Sequence, residues 1–290
     1  MKKLTNVLLL AASIMATTWA IQPAQAQKKA AKEKEGKAEK LGWMLGAQAY
    51  TFNRFTLAQA LDKMDSCGIH YVECYQGQTL GGDLEGKMDY NMDAAKREKL
   101  LLMFNQKNKK LVAFGVVSPQ DEADWRKVFD FAKAMQIQVI TAEPKKEHLD
   151  LVSTLCDQYQ IKVAIHDHPN PSPYWHPDTV LAAIEGRSRL LGACADIGHW
   201  VRSGLDPVEC IQKLKGHVMS LHVKDMNEKS PKAHDVIWGK GYSNIPGVLE
   251  TLKAQGFKGL FSAEYEYNWL NSVPDVKASA AFWRETVNKL

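Results

Sequence analysis

Residues 192–225 hold two strand-length apolar runs on either side of one helical segment, and each run ends in side chains that bind metal or transfer protons. The first run, GACADI, contains Asp196 next to its end, and the second, VMSLHV, contains His222 and is followed by Lys224. Because strand side chains alternate between faces, Ser220, His222 and Lys224 share one side of the second run. A polar face at strand C-termini is typical of a parallel barrel with an active site, whereas a buried strand of an open sheet is apolar on both faces.

The same alternation of short apolar runs and amphipathic segments continues from Leu41 to the end of the chain, which indicates repeated βα units and a parallel sheet. Eight units can be counted, and eight units in about 250 residues match the size of a (β/α)8 barrel. The competing fold, an open doubly wound sheet, normally carries a glycine-rich phosphate turn after its first strand. The sequence GAQAYTFNRF at that position has no such turn. The chain is therefore predicted to be an α/β protein with one TIM-barrel domain over residues 41–290.

The first 40 residues are predicted to lie outside the barrel. Residues 1–26 have a positive start, an apolar centre and a small-x-small AQA ending, which predicts a secretory signal peptide cleaved after residue 26. The apolar centre is shorter than the ~20 residues of a spanning helix, so no membrane span is expected in the mature protein. Residues 27–40 are mostly Lys, Glu and Ala and are predicted to form a charged flexible tether. These features predict an exported, periplasmic protein.

Composition limits the partners that this chain can bind. The 290 residues are 45% hydrophobic and 24% charged, with a net charge of +4. The basic residues concentrate in the first 40 positions, so the predicted barrel is close to neutral and has no electrostatic basis for nucleic-acid binding. Five cysteines lie scattered without CxxC spacing, which predicts buried free thiols and neither a disulfide framework nor a zinc ribbon. No sequence feature sets the oligomeric state.

Five side chains with metal-binding or acid–base chemistry stand at the C-terminal ends of consecutive predicted strands: Glu143, His166, Asp196, His222 and Glu264. Each alone could be an ordinary surface residue, but five in register on consecutive strands predict a functional site. Mixed imidazole and carboxylate groups suit one divalent ion such as Mn²⁺, Co²⁺, Zn²⁺ or Fe²⁺ better than Ca²⁺, which takes oxygen ligands. We predict His166, Asp196, His222 and Glu264 as the metal ligands. Glu143 either completes the metal shell or acts as a general base.

Further candidates surround this predicted centre. His168, His199 and Lys224 each follow a metal-ligand position at short spacing and are candidate acids, although Lys224 could equally form an ion pair at the rim. The predicted catalytic residues are Glu143, His168 and Lys224. Indole rings stack on the C–H faces of sugars, and tryptophans occur in several predicted loops. The predicted substrate contacts are Gln48, Glu73, Trp175, His199, Trp200, His234 and Trp238.

Four motifs resemble those of the xylose isomerase-like TIM-barrel superfamily, in particular its sugar phosphate isomerase/epimerase branch. They are ADIGHW (195–200) for the family's D-x-G-H, LHVKD (221–225) for H-x-K-D, HDVIWGKG (234–241) for the following loop, and AEYE (263–266) for the last Glu strand. The resemblance covers the chain from Leu41 onward. It implies metal-ligand roles for Asp196, His222 and Glu264, and it is specific for the superfamily and not for one reaction.

One position departs from the epimerases of that branch. Their fifth strand usually ends in E-x-H, where the Glu is both a metal ligand and one of two opposed acid–base carboxylates, but here the sequence is His166-Asp167-His168. A symmetric two-carboxylate epimerase is therefore disfavoured, unless Glu143 on the preceding strand supplies the second carboxylate. The superfamily also contains endonuclease-IV-type nucleases, which need further His ligands on strands two and three. This chain has Glu73 and small residues there, which disfavours a nuclease.

Together these features predict an exported, metal-dependent enzyme that abstracts a proton next to a sugar carbonyl. Export favours sugars that are not phosphorylated. The surplus of His and Lys donors favours a lyase or hydratase acting on keto-sugars or keto-glycosides, because elimination needs an acid for the leaving group. A sugar isomerase or epimerase is the alternative, and a non-catalytic sugar-binding module is a second alternative.

Overall fold

Eight parallel strands close into a barrel in the computed structural model, which describes residues 36–290. Each strand pairs with its neighbours in chain order, and the first pairs with the last to complete the ring. The predicted (β/α)8 barrel is confirmed. The barrel strands are β1 (Trp43–Gln48), β2 (Tyr71–Cys74), β3 (Lys110–Val117), β4 (Val139–Ala142), β5 (Lys162–His166), β6 (Leu191–Asp196), β7 (Val218–Val223) and β8 (Gly259–Ala263).

Helices alternate with the strands, and local sequence sets where several of them begin. Thr56 and Gln59 form a reciprocal capping box at the start of the second helix, while Asp93 and Asp121 cap the third and fourth. The helices are α1 (Lys37–Leu41), α2 (Leu57–Ser66), α3 (Ala94–Gln106), α4 (Glu122–Ala134), α5 (Leu149–Tyr159), α6 (Pro177–Ile184), α7 (Ile197–Arg202), α8 (Pro207–Lys213), α9 (Ile245–Ala254) and α10 (Val273–Lys289). Short 3-10 turns cover Ala49–Phe52 and Lys146–His148, and two hairpins outside the barrel pair Thr79–Gly81 with Leu84–Lys87 and Asp225–Met226 with Asp235–Val236.

The N-terminal segment differs in part from its prediction. The predicted signal peptide, 1–26, and residues 27–35 of the predicted tether lie outside the described residues. Residues 37–40 of the predicted tether lie in α1, which ends at Gly42 in the left-handed conformation with φ of 72°. Leu41 packs partly buried against the core. Contacts with the folded barrel therefore order a segment whose own composition is too polar to bury a face.

The core lies mainly between the strands and the surrounding helices. A second, smaller cluster includes Ala164, Cys194 and Leu260. It lies on the strand faces that carry polar residues closer to the C-terminal ends of the strands. All five cysteines are buried and free, as predicted. No helix among residues 36–290 is long and apolar enough to span a membrane. The apolar filling thus supports a layer of polar side chains at the C-terminal ends of the strands.

Candidate active site

The four predicted metal ligands converge at the C-terminal end of the barrel. His166, Asp196 and His222 lie on β5, β6 and β7, and Glu264 directly follows β8. Their ligand atoms all lie within 4.8 Å of one another, and all four residues are buried. The strand register explains the convergence, because Asp196 pairs with His222 and same-face side chains of paired strands point together. We call these four residues the ligand cluster.

The nitrogen atoms of the ligand cluster fit a metal ion. Among the described residues, His166 Nε2 and His222 Nδ1 are buried without a hydrogen-bond partner. His166 Nε2 lies 3.6 Å from Asp196 Oδ2, and His222 Nδ1 lies 2.9 Å from Glu264 Oε2 without hydrogen-bond alignment. Buried polar atoms are normally satisfied. Two imidazole nitrogens and two carboxylate oxygens around one point form a ligand set that a divalent transition ion accepts.

Glu73 lies beneath His222 and is enclosed by the barrel. It is completely buried, and its carboxylate accepts hydrogen bonds from Thr141 Oγ1 (2.6 Å), Ser262 Oγ (2.6 Å) and His222 Nε2 (3.0 Å). The last bond holds the Nε2 proton and leaves Nδ1 of His222 free to face the ligand cluster. This position does not favour the predicted substrate contact of Glu73, because the carboxylate is enclosed and orients the imidazole from below.

The ammonium group of Lys224 lies among the carboxylates of the ligand cluster. Nζ is fully buried, 2.6 Å from Asp196 Oδ2, 2.5 Å from Glu264 Oε2 and 3.4 Å from Glu266 Oε2. Burial alone would lower the pKa of Lys224, but these carboxylates raise the pKa well above its usual value. The predicted role as the acid for a leaving group does not fit this position. Lys224 instead neutralises negative charge inside the ligand cluster.

Close packing around Lys224 explains other residues of the two central motifs. A Cβ atom on Gly198 would lie 2.5 Å from Cβ of Lys224, so the D-x-G-H glycine is required by the approach of this lysine. Asp225 accepts hydrogen bonds from three backbone N–H groups within residues 239–243. The aspartate of H-x-K-D therefore holds the loop that follows β7, and it does not face the ligand cluster.

Glu143 and His168 form a hydrogen-bonded pair next to the ligand cluster. His168 Nδ1 bonds to Glu143 Oε1, which also lies 3.3 Å from His166 Nδ1, and the His168 side chain is half-exposed. Burial by itself would raise the pKa of Glu143, but the hydrogen bonds of His166 and His168 lower the pKa to about 2. The hydrogen bond to Glu143 raises the pKa of His168. An exposed imidazole oriented by an ionised carboxylate has the arrangement of a general base.

A cavity of about 290 Å³ opens beside the ligand cluster. Gln48 is 1% exposed and is fixed on the cavity wall by hydrogen bonds to the Gly115 carbonyl and from the Tyr50 N–H. His168 is the one imidazole among the described residues that line the cavity. Gln48 and His168 therefore lie where a substrate in the cavity would contact them. The lining residues are Gln48, Tyr50, Tyr75, Gln76, Gly115, Val116, His168, Glu264 and Glu266.

The predicted tryptophans lie away from the cavity beside the ligand cluster. Trp200 and Trp238 are 1% and 3% exposed and belong to the hydrophobic core, so neither ring can stack on a substrate. Trp175 lies in the loop before α6 and outside the cavity lining. The aromatic rings at the cavity are those of Tyr50 and Tyr75, which were not among the predicted substrate contacts. Residue type and loop position predicted the tryptophans as substrate contacts, but neither property shows which ring faces the cavity.

His199 is enclosed behind the ligand cluster. Its Nε2 lies 3.5 Å from Asp196 Oδ2, and its Nδ1 lies 3.2 Å from a guanidinium nitrogen of Arg202. Burial lowers the pKa of His199 well below its usual value, so the imidazole is neutral. At 6% exposure and outside the cavity lining, His199 is not positioned for the predicted substrate contact.

Glu266 and His234 lie at the outer part of the site. Glu266 lines the cavity and lies 3.5 Å from Arg202. It was not among the predicted site residues, although its spacing of two from Glu264 places both on one face. His234, predicted to contact substrate, stacks on Tyr267 with ring centroids 4.2 Å apart. This stacking keeps His234 at the outer rim, since Tyr267 is 48% exposed.

The chain is similar to one protein family and to several solved structures. A family profile described as xylose isomerase-like TIM barrel matches residues 61–286. No curated protein matches the chain. The solved structure of an uncharacterized protein from Parabacteroides distasonis is 34% identical, and the match covers 84% of this chain and 99% of that one with a TM-score of 0.70.

Two more distant structures share the fold. A sugar phosphate isomerase/epimerase from Parabacteroides distasonis is 16% identical, with 84% of this chain and 93% of that chain covered and a TM-score of 0.62. A xylose isomerase-like TIM barrel protein from Mycobacterium smegmatis, in complex with magnesium, is 13% identical, with coverages of 85% and 97% and a TM-score of 0.67.

Proposed function

The chain belongs to the xylose isomerase-like TIM barrel family, and on that premise we propose that it is a divalent-metal-dependent enzyme that abstracts a proton next to a sugar carbonyl. We propose further that elimination follows the proton abstraction, which makes the protein a lyase or hydratase of keto-glycosides. The observation that carries this proposal is the half-exposed imidazole of His168, held by Glu143 at the edge of the ligand cluster and inside the cavity lining.

The ligand cluster would hold the ion through two imidazole nitrogens and two carboxylate oxygens. When bound, a divalent ion there supplies Lewis-acid polarisation of the substrate carbonyl. Glu73 fixes the orientation of His222 from below. Lys224 balances the charge of the two clustered carboxylates. Both residues therefore act on the ligands and not on the substrate.

His168 is the group proposed to move the proton. With Nδ1 bonded to Glu143, its Nε2 is the atom available to a substrate. Nε2 removes the proton from the carbon next to the carbonyl, and the electron pair of that C–H bond forms the enolate. As the carbonyl re-forms, the C–O bond on the other side of the enolate carbon breaks, which leaves an unsaturated ketone. The imidazolium returns its proton to the departing oxygen, so atoms and electrons balance without an oxidant.

A glycoside oxidised at C3 of its sugar has the carbonyl and the leaving oxygen that these reaction steps require. The proton removed is at C2, next to the C3 carbonyl, and the leaving oxygen is at C1, where the aglycone is attached. The products are an enone sugar and a free alcohol, and addition of water to the enone would give the hydratase reaction. An unoxidised glycoside has no such acidic proton, so the carbonyl is what defines the substrate class.

Elimination needs one base, whereas an epimerase that works with two opposed acid–base groups needs a second one. Asp196 and Glu264 both contact Lys224, and His166 stands where the epimerases carry their opposed carboxylate. Aldose–ketose isomerisation also needs one base, so the same geometry favours a sugar isomerase as the second candidate. The two reactions differ in the fate of the proton, which returns to carbon in an isomerase and goes to the leaving oxygen in a lyase.

The test is to incubate the metal-loaded protein in D2O with a 3-keto-glycoside, an aldose and a ketose, and to follow each mixture by NMR. Elimination predicts release of the aglycone and new enone signals. Isomerisation predicts deuterium in a sugar whose skeleton is intact. If the protein binds these sugars but gives neither product nor exchange, both candidates fail and a sugar-binding module remains.

A further inference from the structure

Exposed apolar side chains gather on one side of the cavity mouth. Within residues 36–290, five large hydrophobic side chains are exposed, and three of them, Tyr50, Tyr267 and Leu270, follow β1 or β8. These two strands are neighbours in the barrel, so the loops that follow them share one part of the rim. Exposed apolar surface that adjoins a polar cavity is typical of a ligand-binding surface.

Three aromatic rings form a connected surface at this place. The ring of Tyr50 lies 5.2 Å from that of Tyr75 at an interplanar angle of 79°, and 5.8 Å from that of Trp269 at 88°. Edge-to-face contacts of this kind hold the rings in a defined arrangement. Arg54 lies over the indole of Trp269 at 6.0 Å and supports it from one side. We call Tyr50, Tyr75 and Trp269 the aromatic rim.

The aromatic rim continues the wall of the catalytic cavity, since Tyr50 and Tyr75 belong to both. The cavity volume of about 290 Å³ is at the lower limit of the roughly 300–1,000 Å³ found for small-molecule sites. The cavity therefore has room for about one sugar ring. A group attached to that ring has to extend past the mouth, where the rim begins.

We propose that the aromatic rim is a binding subsite for the leaving group of a glycoside, either a second sugar ring or an aromatic aglycone. Both groups present a flat face of C–H bonds or π electrons, which stacks on tyrosine and tryptophan rings. Tyr50 is 39% exposed, so part of its ring is open to such a partner. The inference rests on the proposed elimination, because only a reaction that expels such a group uses a subsite for it.

Three unreactive probes test the subsite: methyl β-glucoside, phenyl β-glucoside and cellobiose, none of which has the carbonyl that the reaction requires. Calorimetry on the wild-type protein should give tighter binding for a ring-bearing probe than for the methyl glucoside. Trp269→Ala, outside the cavity lining, should weaken the ring-bearing probe about 3- to 10-fold and leave the methyl glucoside within about twofold. Tyr50→Ala also removes part of the cavity wall, so it should weaken every probe, and the ring-bearing probe more than the methyl glucoside. The preferred ring-bearing probe identifies the leaving group as aromatic or sugar.

Two further variants make the test specific. Tyr50→Phe keeps the ring and should bind like the wild type, whereas a loss as large as that of Tyr50→Ala would assign the effect to the hydroxyl and overturn stacking. Tyr242→Ala removes another exposed tyrosine, 54% exposed and outside the cavity lining, and should change nothing.

The subsite is refuted if the wild-type protein does not bind a ring-bearing probe more tightly than the methyl glucoside, or if Tyr50→Ala weakens all probes equally. These binding results do not depend on turnover. A rim that selects ring-bearing probes in a protein that releases no aglycone from keto-glycosides would keep the rim as a ring-binding site and reject both the lyase and the leaving-group role.

Discussion

The two ends of the barrel differ in both volume and charge. The end where the strands begin has the larger cavity, about 690 Å³, lined by apolar side chains such as Met44 and Leu260 and by surface lysines such as Lys133. The end where the strands finish has a cavity of about 290 Å³, but beside it lie the ligand cluster and the fully buried Lys224. Buried charge is costly unless it is paired or bound to an ion. Charge in the interior, and not cavity size, therefore identifies the functional end.

The strands β7 and β8 each run from the apolar end of the barrel to the charged end. An exposed histidine, His217, precedes β7, and a buried one, His222, lies near its end. Along β8 the inward face changes from Leu260 to Ser262 and then to Glu264 just beyond the strand. The same backbone therefore provides apolar filling at its start and ligands at its end, and matched variants at the two ends separate structural from functional effects.

The largest expected effect is the loss of metal from His222→Ala. This change removes one of four ligands and leaves the buried carboxylate of Glu73 without its imidazole partner. Elemental analysis should show metal falling from one ion per chain to nearly none. The control is His217→Ala, at the other end of β7, which should keep its metal. Stoichiometric metal in His222→Ala would refute the ligand assignment.

His168→Asn should lower the rate of the reaction by about 10²- to 10⁴-fold while the metal content stays the same. The reason is that the change removes the proposed base but none of the ligand cluster. The matched variant is His70→Asn, just before β2 at the opposite end, which should react at the wild-type rate. A reaction that survives His168→Asn would assign proton transfer to another group.

Lys224→Met should destabilise the metal-free protein by about 3–5 kcal/mol, because the two buried carboxylates would lose their positive partner. With metal bound the loss should be smaller, since the ion supplies positive charge to the same carboxylates. Urea unfolding with and without a chelator measures both values. Lys162→Met, at the start of β5, is the control and should change neither. An equal loss in the two conditions would show that Lys224 and the metal do not share these carboxylates.

The smallest expected effect is a shift in the pH profile of Glu143→Gln. The hydrogen bond to Glu143 raises the pKa of His168, and a base must be neutral, so activity rises as the pH passes above that pKa. Without the carboxylate the pKa of His168 falls, so the acidic limb of the kcat profile should move to lower pH. Glu147→Gln, an exposed glutamate in the turn after β4, should leave the profile in place. A limb that moves to higher pH would contradict the pairing.

The ligand cluster could be predicted because its geometry depends on the two-residue repeat of side chains along a strand. Strand alternation places Ser220 and His222 on one face, and parallel pairing of consecutive strands brings Asp196 alongside. The Thr56 cap of α2 was predictable for the same reason, since it spans only three residues. Residue type and loop position predicted Trp200 and Trp238 as substrate contacts, but these properties contain no information on packing, and both rings are buried.

The sequence by itself determined the strand and helix order, the faces that side chains share along each strand, and hence the ligand cluster. Only the tertiary structure decided that Glu73 supports His222 from 149 residues away and that Lys224 bonds to Glu264, 40 residues away. It also decided that the rings of Tyr50 and Tyr75, and not those of the selected tryptophans, line the cavity. The physical reason is that strand periodicity is set locally, whereas burial and ion pairing depend on which distant segments the closed barrel brings into contact.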